Sequence, residues 1–402
     1  MATTTDTATT AGKTPVGNPI IDTEEQAQLR ELARDIGRKF GFAYVAEASR
    51  TNTPTTELWA ALSDAGLIGL NLPEEYGGGG AGLTELCIAQ EELSAQGAGA
   101  LMLVVSPAIN GSIIARYGTE EQKRRYLPGI ASGEKVAAFA ITEPDAGSNS
   151  HAITTTATKD GDHFVIRGQK TFISGVDQAE WVLIVARLSD AGTGRLQPAL
   201  FMVPTDTPGF SATPIDMEVR LPERQFHLFF DDLRVPAEAL VGDGDTALTM
   251  LFAGLNPERV IASAMAIGNA RYALDKAATY AREREVWGRP IGAHQGLAHP
   301  LAQCKIELEL AALMMRKAAA LVDAGLDAEA GEAANMAKYA SGEISAKAVD
   351  QAIQTLGGSG LTTDVGLASM LAASRLPRIA PVSREMILNF VAQHSLGLPR
   401  SY

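Results

Sequence analysis

HFVIRGQKTF, residues His163–Phe172, follows the turn pair Asp160-Gly161, and its reading decides the fold. The run is short, holds aromatic and β-branched residues, and is bounded by turn chemistry, which is the texture of a strand. Working outward, similar runs lie at Trp181–Leu188, Pro198–Val203 and Phe226–Phe230, with another turn at Asp206–Gly209. Connections this short leave no room for helical crossovers, so residues 135–243 are predicted to form a small, mostly antiparallel β-domain.

On both sides the period changes to that of helices. Between about Asn18 and Gly133, apolar residues recur at three- and four-residue spacing through Glu24–Val45 and Thr84–Leu93. Thr119 followed three residues later by Gln122 marks a helix start, because each side chain can satisfy an orphan N–H of the first turn. The Gly77–Gly80 run has no strand before it and no Lys-Ser/Thr after it. It therefore reads as a flexible connection between helices and not as a phosphate loop. Beyond Asp245, helices are predicted near 245–285, 294–323, 328–356 and 383–395. Leu301, Cys304, Leu308, Ala311, Ala312 and Met315 share one face, as the core of a bundle requires.

The predicted fold class is thus α+β, mainly α. Its parts are a disordered tail (1–18), an N-terminal all-α domain (19–134), a middle β-domain (135–243) and a C-terminal four-helix bundle (244–402). No GxGxxG follows a strand, so a Rossmann-type sheet is not implied.

Composition narrows the function classes. The 402 residues carry a net charge of -13, which argues against a nucleic-acid partner, since phosphate neutralisation needs a concentrated basic face. No apolar run approaches the roughly 20 residues that span a bilayer. The Thr/Ala-rich first residues lack the Arg or apolar core of a leader, so no signal or transit peptide is expected. Cys87 and Cys304 lie outside any metal-ligand spacing, so buried thiols, no metal site and a cytoplasmic location are expected.

Four stretches carry chemistry. FAITEPDAGSNS (Phe139–Ser150) is a strand end entering a Gly-containing loop, where backbone N–H groups and the Thr142 hydroxyl can meet a polar cofactor edge. GQKTFISG (Gly168–Gly175) follows it, then REREVWGRPIGAHQ (Arg282–Gln295) and QTLGGSG (Gln354–Gly360). In this order and spacing they resemble the signature motifs of the acyl-CoA dehydrogenase family, and the resemblance extends from about Ile21 to Tyr402. Gly147-Ser148-Asn149 stands where the family usually ends in Gly-Ser-Asp, and Phe172 where it usually has Trp.

The resemblance implies FAD as cofactor, an acyl-CoA substrate, an electron-transfer flavoprotein as acceptor and a homotetramer built as a dimer of dimers. By the same resemblance, Phe139, Ile141 and Thr142 flank the flavin, and Phe172 and Ser174 cover another part of it. Ser148 reaches the cofactor diphosphate or the acyl-CoA. Arg284, Trp287, His294, Gln295, Gln354, Gly357 and Gly358 are expected to bind the diphosphate and adenosine of a neighbouring subunit's FAD. Glycines admit close backbone approach there, and Arg284 offers a fixed fork of donors.

The family reaction needs a carboxylate to take the proton alpha to the thioester. In most members it is the Glu of a Tyr-Glu-Gly-Thr stretch, whose positions here are Ala380, Pro381, Val382 and Ser383; Ser383 is expected at the cofactor. The glutamate is absent, and Pro381 also lacks the N–H that the family aims at the thioester carbonyl. A minority of the family carries its base in a Glu-Arg pair on a bundle helix, and this chain has Asn256-Pro257-Glu258-Arg259 there. Glu258 is the candidate base, with Asn256 and Arg259 as substrate contacts. Asn256 and Pro257 read as cap and first residue of a helix, which places Glu258 in its first turn. The expected reaction is oxidation of an acyl-CoA to its 2,3-enoyl-CoA. Elimination, reduction or oxygen-using chemistry on the same scaffold, and a non-catalytic flavin or acyl-CoA binding protein, remain open at this point.

Overall fold

The computed structural model describes residues 21–189, 196–242 and 247–400. The tail read as disordered lies outside them. The first helices are α1 (Glu24–Thr51), α2 (Thr56–Asp64) and α3 (Leu83–Ala95). Next come α4 (Leu101–Leu103), a π-helical run Val104–Gly111, α5 (Ser112–Tyr117) and α6 (Glu120–Ser132). The capping box read at Thr119 and Gln122 is present, with both reciprocal bonds made, and a second one at Thr23 and Gln26 opens α1. The N-cap of α3 is Gly82, which has no side chain to accept from the first turn, although Glu85 Oε2 accepts from the Gly82 N–H at 2.8 Å. Asp323, from the far end of the chain, accepts from the Leu83 and Thr84 N–H groups at 2.6 and 3.0 Å, and so caps it.

The glycine run corrects one expectation. Gly78, Gly79 and Gly80 donate to Pro73, Gly69 and Leu72 carbonyls at 2.8–3.0 Å, so the loop is tied to the turn before it rather than a free connection. A Cβ on Gly78 would meet the Leu72 carbonyl oxygen at 2.2 Å, which is why only glycine fits.

Seven strands follow: β1 (Ala137–Ala140), β2 (Thr156–Asp160), β3 (His163–Ser174), β4 (Trp181–Ser189), β5 (Leu196–Pro204), β6 (Phe210–Pro214) and β7 (Gln225–Pro236). They form one sheet in the order β1-β4-β2-β3-β7-β6, with β5 on the other edge of β4. The pairings are mainly antiparallel as predicted, but β1 and β2 both run parallel to β4. One face packs on the N-terminal helices through Trp181, Leu183, Leu200 and Tyr126, and the other has its own core around Ile166, Phe201 and Phe230.

The C-terminal helices are α7 (Ala247–Glu283), α8 (Gln295–Asp323), α9 (Asp327–Leu356), α10 (Leu367–Ala373) and α11 (Arg384–Phe390). Between α7 and α8 lies a hairpin of β8 (Glu285–Val286) and β9 (Arg289–Pro290). The predicted α8 stripe is core: Cys304, Leu308, Ala311 and Met315 are buried, with Leu301 and Ala312 packed against them. Cys87 and Cys304 are free and buried. α7 is the pivot of the molecule, since its Val260, Ile261, Ala264 and Ile267 join α1, α3, α8 and α9 in the largest core cluster. No described helix is long and apolar enough to cross a membrane.

Candidate active site

The first two motifs meet at the end of β1. Thr171 N–H donates to the Thr142 carbonyl at 2.9 Å, so the strand-end loop and β3 present their side chains together. Beneath them Lys170 Nζ donates to the Ile141 carbonyl and to Glu143 Oε1, both at 2.9 Å. Glu143 also accepts from the Thr154 and Thr155 N–H groups at 2.6 and 2.9 Å. Burial alone would raise the Glu143 carboxyl, but the Thr155 and Thr154 hydrogen bonds and the Lys170 ammonium more than offset it and hold it at about 2. We therefore assign a charged pair. The sequence reading missed both residues, although they sit inside the two motifs it singled out.

Above this clamp β3 bulges: its register against β7 shifts between Lys170 and Ile173. Phe172 sits in the bulge with φ 57° and its side chain 56% exposed. A large aromatic residue pays a steric cost in the left-handed region, and here more than half of it is left in solvent. Ser174 pairs with Gln225 at 3.0–3.1 Å, while Thr142, Phe139 and Ile141 are half-buried and Ser148 is exposed.

The later motifs assemble elsewhere, where the start of α8 meets the end of α9; Leu301, Ile353 and Leu356 share the cluster that joins them. Trp287 and Gly288 form the tip of the β8–β9 hairpin, with φ 53° and 75°, as a two-residue turn of this hand requires. Trp287 is 87% exposed and meets His294 edge-on at 5.8 Å between ring centroids. His294 Nε2 is buried with no hydrogen-bond partner. Arg284 and Gln295 are exposed beside them, as are Gln354, Gly357 and Gly358; nothing lies within 4 Å of where a Cβ on either glycine would be. An orphaned ring nitrogen, the exposed Trp287 ring and open glycine backbone fit a large flat ligand with a diphosphate.

Glu258 lies on α7, but not where the sequence placed it. The helix runs unbroken from Ala247, so Pro257 is inside it and Asn256 is not its cap. Pro257 merely leaves the Ala253 carbonyl without its usual donor. Asn256 Oδ1 instead accepts from Arg259 Nη1 at 2.8 Å, and the guanidinium lies 5.9 Å from the Phe252 ring centroid. Arg259 Nε is buried without a partner, which leaves a donor for a bound group.

Glu258 is half-buried. Burial pushes its carboxyl up to about 7, against the pull of the Arg259 and Lys338 cations. Ala380–Pro381, where the sequence reading looked for the family's usual base, is exposed, with a cis peptide bond. Ser383 caps α11, accepting from Met386 N–H at 3.4 Å.

Comparison with known proteins settles the family. The acyl-CoA dehydrogenase N-terminal, middle and C-terminal domain models match residues 23–134, 138–233 and 248–396. The chain belongs to the acyl-CoA dehydrogenase family. It is 60% identical over 382 residues, 95% of this chain and 98% of the relative, to the acyl-CoA dehydrogenase FadE12 of Mycobacterium tuberculosis. Its fold is similar to a chain in a structure of the electron transferring flavoprotein of Acidaminococcus fermentans, at 30% identity and TM-score 0.87, covering 94% of this chain and 99% of that one. A glutaryl-CoA dehydrogenase from Mycobacterium smegmatis, solved in complex with FADH2, matches at 26% identity and TM-score 0.87 over 95% and 97% of the two chains.

Proposed function

We propose that this protein is an FAD-dependent dehydrogenase that takes the proton alpha to the thioester of an acyl-CoA with Glu258 and yields the 2,3-enoyl-CoA. The observation that carries the reading is Glu258 itself, a half-buried carboxyl on α7 that burial raises to about 7 against the pull of the Arg259 and Lys338 cations. A group with that affinity is ionised in good part at neutral pH and still basic enough to take a proton. Pro381 rules out a carboxylate at the alternative position.

When bound, FAD would supply the acceptor for the hydride of the beta carbon. Phe139, Ile141, Thr142, Ser148, Phe172 and Ser174 would hold it in one subunit, and Ser383 would border it. Arg284, Trp287, His294, Gln295, Gln354, Gly357 and Gly358 reach a neighbour's cofactor, which makes the enzyme a homotetramer arranged as a dimer of dimers. Asn256 fixes the Arg259 guanidinium, whose free Nε is a donor for the substrate, with Ser148 at the CoA end. An electron-transfer flavoprotein is the proposed acceptor, supported by the Acidaminococcus fermentans likeness. Buried free thiols fit a reducing cytoplasm.

The test is product analysis with straight, branched and cyclic acyl-CoAs and an artificial electron acceptor, beside deuterium exchange at the alpha carbon. A desaturated thioester from the wild type, with exchange lost in Glu258→Gln, supports the reading. Exchange that survives in the variant places the base elsewhere.

A second reading keeps the scaffold but uses oxygen. Pro381 favours it, because a missing thioester-polarising N–H typically costs about 10²–10³ in rate for ordinary dehydrogenation. Turnover with oxygen and no other acceptor would select it.

A further inference from the structure

The side of α7 that carries Glu258 continues into a cleft with a polar end. α7 is otherwise the buried pivot of the molecule, yet Glu258, Ala262, Met265 and Asn269, which recur at helical spacing along one side, are all half-buried. Gly99, just past the end of α3, is half-buried opposite them, and a Cβ there would lie 3.3 Å from Met265 Cε. Solvent thus reaches both walls of one channel that starts at Glu258.

α3 runs antiparallel to α7 along this channel. Gly99 lies beside Met265, Ser94 beside Gly268, and Glu91 accepts from Arg271, so residues earlier in α3 lie farther from Glu258. Helix rise puts Met265 about 10 Å and Gly268 about 15 Å beyond Glu258.

At that far end two polar side chains lack partners. Ser94 has no exposed surface, and its Oγ makes no hydrogen bond among the described residues. Gln90, one turn back on the same face of α3, is equally buried, with neither Oε1 nor Nε2 bonded. Ser94 Oγ is aimed at the channel, since the Cβ that would touch Met265 Cε would also meet this oxygen, at 2.5 Å. Native interiors rarely leave such groups unpaired without a use for them. Leu86, Ala89 and Leu93 fill the rest of this helix's core, and apolar residues would fill these two places without stranding a polar group.

We infer that this channel takes the chain of the acyl group, and that Ser94, with Gln90 behind it, recognises a neutral hydroxyl or carbonyl oxygen at the chain's far end. The inference rests on the reading of Glu258 as the residue at the reacting carbon. A hydroxyl and a carboxamide each donate and accept, so both an alcohol and a ketone are matched. A carboxylate is not, because the neighbouring cation, Arg271, is committed to Glu91 and Glu92. The preferred substrates are therefore medium-length acyl-CoAs with an uncharged, oxygenated terminus.

The probes are the S-hexyl-, S-octyl-, S-decyl- and S-dodecyl-CoA thioethers and their terminal-hydroxyl counterparts. A thioether has no acyl carbonyl and undergoes no alpha-proton removal, so its binding is independent of which residue is the base. Calorimetric titration of the FAD-loaded enzyme is expected to show one chain length at which the hydroxyl counterpart binds about ten-fold more tightly. An apolar channel gives the opposite order, because it strips water from the hydroxyl without replacing it. In Ser94→Ala the hydroxyl advantage should vanish while the plain thioether binds as in wild type, and Gln90→Leu should reduce it. Ser94→Ala without ligand should also unfold no earlier than wild type, since its hydroxyl has no bond to lose.

Equal or tighter binding of the plain thioethers at every length, or no binding of any, would overturn the proposal. So would a hydroxyl advantage that survives in Ser94→Ala, or a Ser94→Ala that fails to fold, which would make the hydroxyl a structural bond. Turnover separates the two readings. A hydroxyl preference without enoyl product from any acyl-CoA keeps the channel assignment and fails the dehydrogenase reading; enoyl product without the preference does the reverse.

Discussion

Lys170 Nζ and Glu143 Oε1 lie 2.9 Å apart with both side chains buried, and this pair joins the Phe139–Ser150 and Gly168–Gly175 motifs. Glu143 directly follows Thr142, and Lys170 directly precedes Thr171, whose N–H reaches back to the Thr142 carbonyl. Removing one member leaves the other as an uncompensated buried charge, which costs about 3–5 kcal/mol. Lys170→Met should therefore lower the thermal midpoint strongly and release FAD more readily, whereas the double change Lys170→Met with Glu143→Leu should regain much of the stability. Calorimetry with flavin fluorescence of the released cofactor measures both.

The same carboxyl sets an acid limit. Its folded pKa of about 2 lies below the ordinary 4.5, so the stability it contributes is complete above 4.5 and is lost as pH falls toward 2. Glu143→Gln should flatten the stability-versus-pH curve in that window, as read by urea unfolding at a series of pH values, even though the variant is less stable at pH 7.

Phe172 offers a cleaner test of cofactor contact than of folding. Its ring is exposed and its φ is 57°, so the ring adds little to the core. Phe172→Gly relieves a backbone cost of order 1 kcal/mol. The expected outcome is an apoprotein at least as stable as wild type that retains FAD less tightly, measured by unfolding and by flavin titration. Unchanged flavin affinity would remove Phe172 from the cofactor site.

Stability and activity should separate at Arg271. Its guanidinium meets Glu91 and Glu92 at 2.6 and 2.8 Å, and Glu92 is also held by Arg30 and Arg34. Arg271→Met removes one cation from a buried cluster that keeps two others, so the loss should fall near 2–3 kcal/mol, below that of a lone broken pair. Denaturant unfolding should show the drop, with kcat per flavin-loaded subunit close to wild type.

Much of this was legible in the sequence because local chemistry fixes it. The Thr119–Gln122 box, the Asp160-Gly161 turn and the Cys304–Met315 stripe each depend on neighbours along the chain, and each is where the sequence places it. Asn256-Pro257 misled because a cap followed by proline and a proline inside a long helix look alike over a few residues; the turns of α7 before Asn256 decide between them. The Gly77–Gly80 run looks flexible by composition but is tight because its backbone abuts Leu72. What the sequence hid is long-range: Asp323 capping α3 and Glu143 meeting Lys170 both join residues distant along the chain. No periodicity or spacing encodes such pairs.

The measurement that bears most directly on the central claim is the anaerobic reductive half-reaction of wild type and Glu258→Gln, mixed with the best acyl-CoA at saturation. The account predicts rapid bleaching of the wild-type flavin, rising with pH through about 7 as Glu258 ionises, and a variant that binds the thioester yet stays oxidised. Equal bleaching of the two proteins would contradict it.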